Sequence, residues 1–112
     1  MGKDAIVAGT GFEGRDQVIR RHCREGMPVR LRREPHNEHD QNAIAVYFSV
    51  PRLFGLLGQA QLQIGYIKAA AAKGLAAKMD AGVPVTGYVK SFYAPDGRVF
   101  PRVSLRLEWP DV

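Results

Sequence analysis

The chain has a single cysteine, Cys23, so no disulfide can close within it. That fits a reducing compartment, and a cytoplasmic setting is the expectation. No uninterrupted apolar run approaches the roughly 20 residues of a membrane-spanning helix. The first residues show no basic stretch leading into a long apolar one, so no signal peptide is expected. Internal repeats and low-complexity linkers are missing, apart from a short alanine run at residues 69–72. No serine or cysteine stands beside an obvious base. Cys23 follows His22, but adjacent residues on a helix point in different directions and do not form a nucleophile–base pair. Cys23 is therefore read as a small core residue. His36 and His39 lie too close for a zinc framework without two further well-spaced ligands, and Glu34, Glu38 and Asp40 read as a solvated polar loop. Catalysis, a bound metal and a cofactor are not expected.

What is present is enough for one domain. At 112 residues the chain is able to bury roughly 60–70% of its unfolded surface around a single core. Its charge is unevenly placed. Residues 15–33 hold seven arginines (Arg15, Arg20, Arg21, Arg24, Arg30, Arg32, Arg33) against Asp16 and Glu25, which equals the net +5 of the whole chain. Arginine's planar fork suits phosphate, and a one-sided basic face points toward an anionic partner, nucleic acid first, or to a solvated surface that keeps the protein soluble.

Residues 5–8 read as a short buried strand. Asp16 is placed to cap a helix through Val18, Ile19, His22 and Cys23 that stops at Gly26. Val29 and Leu31 alternate with Arg30 and Arg32, and Ile44, Val46 and Phe48 repeat the period-two pattern of half-buried strands. Residues 49–61 read as a protruding loop or loose hairpin with exposed Leu53, Phe54, Leu56 and Leu57. Leu62, Ile64 and Tyr66 alternate as a further strand. The alanine-rich stretch at 68–81 predicts a helix with Ile67, Ala71, Leu75 and Met79 on one face, ended by Gly82. Residues 83–92 read as a strand, Ala94-Pro-Asp-Gly97 as a hairpin turn, and Val103, Leu105 and Leu107 mark the closing strand. Pro101 removes one ladder bond and suggests an edge there. Trp109 is expected to lie over the core. About six strands with two helices result, and a small barrel or strongly bent sheet closes such a set without long edges.

Two segments bear on function. The first is Gly9-Thr-Gly-Phe-Glu-Gly14, a literal G-x-G-x-x-G between a strand and a helix, with Glu34 about 20 residues beyond it where a ribose-binding acid would stand. The chain has no room for the second half of a doubly wound sheet, and its remainder reads as antiparallel. The glycines are therefore read as chain-bending positions, with a nucleotide-binding enzyme fragment as the lesser alternative. The second segment is the corner between the basic strand and the apolar one. It packs Asn37, His39, Asp40 and Asn42 more densely than a plain turn needs. Such side chains bond their own backbone and fix a corner, or hold a polar ligand.

With these residues in view, the chain resembles the HIRAN domain family. The likeness runs through Val7-Ala-Gly-Thr-Gly-Phe12 with Gly14-Arg15, then Val29-Arg-Leu-Arg-Arg-Glu-Pro-His-Asn37, His39-Asp-Gln-Asn-Ala-Ile-Ala-Val46 and Ile64-Gly-Tyr-Ile-Lys68. It implies a mainly β (α+β) fold: a small OB-like, six-stranded antiparallel β-barrel with two α-helices, filling residues 1–112 as one domain. It also implies a non-catalytic module that captures the 3′ end of single-stranded DNA, linked to repair or replication-fork processing. Asp40 matches the carboxylate that takes the free 3′-hydroxyl. Asn37 and Asn42 match the polar residues around it, Lys68 a basic residue near the phosphates, and Phe100 a pocket aromatic. Thr10, Gly11 and His39 stand where a DNA-end-binding member carries an arginine and two tyrosines, and Phe12 is one residue from the missing ring. The expected interface comprises Phe12, Arg15, Arg30, Arg32, Asn37, His39, Asp40, Asn42, Tyr66, Lys68, Phe100 and Arg102. Arg33 is a further phosphate candidate. The expected partners are single-stranded DNA or DNA ends and a helicase or nuclease supplied by another chain, with the protein a monomer or weak homo-oligomer. The rival expectation is a protein-interaction module that uses the apolar 53–57 loop.

Overall fold

The computed structural model describes residues 1–95 and 100–111. Alternation of apolar and polar residues produces six strands: β1 (Gly2–Ala8), β2 (Pro28–Arg33), β3 (Ile44–Pro51), β4 (Gln59–Ile67), β5 (Thr86–Tyr93) and β6 (Arg102–Glu108). All neighbouring pairs are antiparallel, and the order β1-β4-β3-β2-β5-β6 closes back on β1 as a barrel. Helix α1 (Arg15–His22) joins β1 to β2, and α2 (Ala69–Asp80) joins β4 to β5. The expected six-stranded barrel with two helices is the observed one.

The inward residues of the strands fill the barrel. Ile44, Val46, Phe48, Ile64, Val89, Val103, Leu105 and Leu107 are fully buried, and α1 and α2 add Ile19, Ala72, Leu75 and Ala76. Removing a buried Leu, Ile or Phe side chain from water is worth about 1.5–3 kcal/mol, so this alternation is the main reason the strands hold their register. Cys23 belongs to this core, where burial pushes its thiol up to about 11. Trp109 packs on the core's rim, with the Lys78 ammonium 5.2 Å from its ring centroid.

Two expectations need correction. Asp16 does not cap α1. The N-cap is Gly14 in the left-handed conformation, and Asp16 sits in the first turn, 4.0 Å from Arg20. The chain turns so sharply out of β1 that a positive φ, natural to glycine, decides the helix start. Pro101 does not mark an edge, because β6 is bonded to β1 on one side and β5 on the other. It is instead buried just before the strand, and its carbonyl accepts the Thr10 hydroxyl at 2.6 Å. The segment 49–61 is the expected hairpin, with Leu53, Phe54, Leu56 and Leu57 exposed at its tip. β3 and β4 pair as far as Pro51 and Gln59, leaving only a tip that contains a 3-10 turn at Leu53–Gly55. The expected turn at 94–97 runs into residues 96–99, outside the described residues.

Candidate functional site

The polar corner between β2 and β3 is built by side chain–backbone bonds. Asn37 Oδ1 accepts the amides of His39 (2.9 Å) and Asp40 (3.2 Å), and Asp40 Oδ1 accepts the amide of Asn42 (2.8 Å). This is the turn-fixing chemistry that Asn and Asp offer. The Asn37 amide group donates to Glu34 Oε1 (3.0 Å), and the same oxygen accepts the Tyr66 hydroxyl from β4 (2.9 Å). The corner is thus anchored to the barrel wall through Glu34. Arg33 ties it from the other side, donating to the carbonyls of Ala43 (2.7 Å) and Gln41 (3.1 Å) and gripping Asp80 of α2 with two bonds of 2.9 and 3.0 Å. The Asp80 carboxylate holds the Arg33 guanidinium firmly charged, and the guanidinium in turn lowers the Asp80 carboxyl below its ordinary range.

Against this corner lies a groove of about 520 Å³, lined by Phe12, Glu13, Arg15, Asn37, His39, Asp40, Ala43, Tyr66, Ile67 and Ala69. Its volume is that of a small-molecule or nucleotide site. The 9–14 loop supplies one wall and the corner the other. Gly9 and Gly14 both have positive φ, as expected of chain-bending positions, and Phe12 between them is 68% exposed. His39 is exposed on the facing wall, and Asp40 is half-buried. The second Asp40 oxygen takes no hydrogen bond from any described residue, so it is open to a donor. The Arg15 guanidinium lies 5.4 Å from the Tyr66 ring centroid, within cation–π range. Its Nη1 donates to the Gly9 carbonyl at 3.1 Å and its Nη2 reaches Glu13 at 3.4 Å, while Nε is buried with no partner among the described residues.

Six of the twelve residues expected at the interface line this groove: Phe12, Arg15, Asn37, His39, Asp40 and Tyr66. The others lie outside it. Asn42 contributes its backbone amide to the corner. Lys68 stands exposed at the entry to α2, between the lining residues Ile67 and Ala69. Phe100 is 63% exposed and lies over Gly11, where a Cβ would come within 2.7 Å of its ring. Gly11 is thus a packing position for that ring. Arg102 begins β6 opposite Tyr93. Arg30 and Arg32 point away, onto the outer face of β2, where with Leu31, Tyr47 and Gln61 they line a separate concavity. The Arg33 guanidinium is already engaged by Asp80 and two backbone carbonyls. Glu34 was not foreseen as a corner anchor, because its partner Tyr66 lies 32 positions away. Among the described residues no group of three or more His, Cys, Asp or Glu side chains is placed to hold a metal. No helix among them is long and apolar enough to cross a membrane.

Barrel and groove together define a class: a small closed antiparallel barrel with an amphipathic groove of ring faces, carboxylates from Asp40 and Glu13, and the Arg15 guanidinium. Comparison with known proteins places it within that class. The HIRAN domain model matches residues 4–108, so the chain belongs to the HIRAN domain family. Among solved structures it is similar to a protein from Lactobacillus plantarum (TM-score 0.67, 25% identity, covering 96% of this chain and 95% of that one). It is also similar in fold to the HIRAN domain of human HLTF (TM-score 0.64, 24% identity, covering 96% of this chain and 74% of that one). No curated protein matches the chain.

Proposed function

We propose that this protein is a non-catalytic nucleic-acid-binding module that receives the 3′ end of a DNA single strand in the corner groove. Family membership supports the nucleic-acid partner. The observation that carries the end-binding reading is the open Asp40 oxygen in a groove shared with Phe12, His39 and Arg15. A carboxylate repels phosphodiester and accepts from a hydroxyl or a base N–H, so an open acid beside ring faces suits a strand terminus, where a free hydroxyl stands in place of phosphate. Phe12 and the His39 imidazole offer faces for the terminal base, an interaction worth about 1–3 kcal/mol per base. Arg15 and Lys68 supply positive charge on the flanks, and Phe100 widens the apolar approach beside Gly11. A helicase or nuclease on another chain would act on the strand so held, in repair or fork processing.

Fluorescence anisotropy with a labelled single strand tests this. Binding should weaken steeply with salt, and a 3′-phosphate should weaken it further. Equal affinity for free and blocked ends would remove the end-recognition reading.

A second reading, assembly with another protein or copy, is favoured by the β3–β4 tip. There Leu53, Phe54, Leu56 and Leu57 are 62%, 101%, 85% and 56% exposed. Static light scattering showing a stable oligomer, together with no DNA binding at low salt, would favour it over the first.

A further inference from the structure

The outer face of β2, β3 and β4 carries a second constellation, distinct from the corner groove. Arg30 stands opposite Tyr47, and Arg32 opposite Ala45. Tyr47 in turn faces Gln63 on β4, and Ser49 faces Gln61, bonded to it through the hydroxyl at 3.0 Å. Arg30, Leu31, Arg32, Tyr47 and Gln61 enclose a concavity of about 270 Å³, and no carboxylate lines it among the described residues. Both arginines are exposed, and neither has a hydrogen-bond or ion-pair partner among the described residues. The contrast with Arg33, the next residue on the strand, is sharp: its guanidinium is engaged by Asp80 and two backbone carbonyls. Strand geometry holds the Arg30 and Arg32 stems about 7 Å apart on one face, close to the repeat of successive phosphates in an extended single strand.

The two sites are joined. Arg32 also lines a shallow groove with Glu34, Pro35, His36 and Asn37, and Asn37 is a wall of the corner groove. Glu34 in that groove is already bonded to Tyr66 and Asn37. Shared walls therefore link the three concavities in order, Asn37 between the corner groove and the shallow one and Arg32 between that and the Tyr47 concavity.

We infer that the Arg30–Arg32–Tyr47 face is a second nucleic-acid subsite, which holds the phosphates and one base of the nucleotides upstream of the end docked at the corner. This rests on the end-binding reading above and extends it. Two guanidiniums flanking an aromatic ring suit a phosphodiester strand better than a peptide acid, because the ring has a base to stack on.

OB-type barrels cover about 4–16 nucleotides, so strands of about 3 and about 12 nucleotides with free 3′ ends separate the two sites. The longer strand should bind at least tenfold more tightly to the native protein. In the Arg30→Ala/Arg32→Ala double variant that gain should vanish, and the salt slope for the long strand should fall by about 1.4, since each phosphate contact on a single strand contributes about 0.7. Affinity for the short strand should hold. Tyr47→Ala should cost the long strand about tenfold. If the double variant keeps both the length gain and the salt slope while short strands still bind at the corner, the second subsite is refuted and the end-binding reading stands. If neither length binds the native protein, both fall. Competition by polyglutamate as effective as by DNA of equal charge would show a general polyanion patch and would also overturn the subsite.

Discussion

Replacing Asp40 by Asn isolates the role of the corner carboxylate. The amide oxygen of Asn is able to accept the Asn42 amide as Asp40 Oδ1 does now at 2.8 Å, so the corner should persist and the protein should melt as before. The charge is lost. A hydrogen bond to a charged acceptor contributes about 1.5–3 kcal/mol, against about 0.5–1.5 for a neutral one. The free 3′-hydroxyl end should therefore lose about 1–1.5 kcal/mol, or roughly tenfold in affinity. The blocked end should move the other way. A terminal phosphate about 4 Å from a half-buried carboxylate is repelled by about 1–4 kcal/mol, depending on the effective dielectric, and the variant relieves that repulsion. Removing one negative charge also strengthens attraction to the internal phosphates, a part common to both strands. The ratio of free-end to 3′-phosphate affinity is thus the proper readout, measured by anisotropy at fixed salt. It should be large for the native protein and collapse by tenfold or more in Asp40→Asn. An unchanged ratio would refute the reasoning, whatever happened to the absolute affinities.

Other predictions concern the frame. Gly65 has φ +150°, and a Cβ there would come within 2.3 Å of the Ala8 carbonyl, beside the short β1–β4 pairing that closes the barrel. Gly65→Ala should destabilise by about 2–3 kcal/mol or more in urea titration, whereas Gly14→Ala, which meets no neighbour, should cost only its backbone strain. Cys23, its thiol raised to about 11 by burial, should resist iodoacetamide at neutral pH and react promptly once urea opens the core. Asp4 and Asp80 are held below their ordinary 3.8 by Lys90 with Arg106 and by Arg33, respectively. Stabilisation from a lowered carboxyl is complete above its unfolded value and is lost as pH falls through the folded one. The melting temperature should therefore be insensitive to these pairs above about pH 5 and begin to fall near and below 3.8. Both acids are exposed, so the drop should be small and should shrink in high salt.

Much of the barrel is written locally. Val103, Leu105 and Leu107 alternate with polar residues, and each is buried. Gly82 ends α2 with a positive φ, as its position past the alanine run predicts. Closure is not local. Pro101 reads as an edge signal because the missing amide is visible in the sequence, while its buried carbonyl's bond to Thr10, 91 positions away, is not. The same holds for the site. The turn chemistry of Asn37, Asp40 and Asn42 follows from residue type and spacing. Arg33 reads like its neighbours until Asp80, 47 positions on, claims it. Arg30 and Arg32 look contiguous with the corner in sequence, but strand alternation turns them outward, into a cavity of their own.

The most direct test of the corner groove is an amide chemical-shift titration with a short single strand carrying a free 3′-hydroxyl. The largest shifts should fall on Phe12, His39, Asp40 and Asn42, and should diminish when the same strand ends in phosphate. Shifts confined to the β3–β4 tip, or identical for both strands, would contradict the claim that this corner reads a strand terminus.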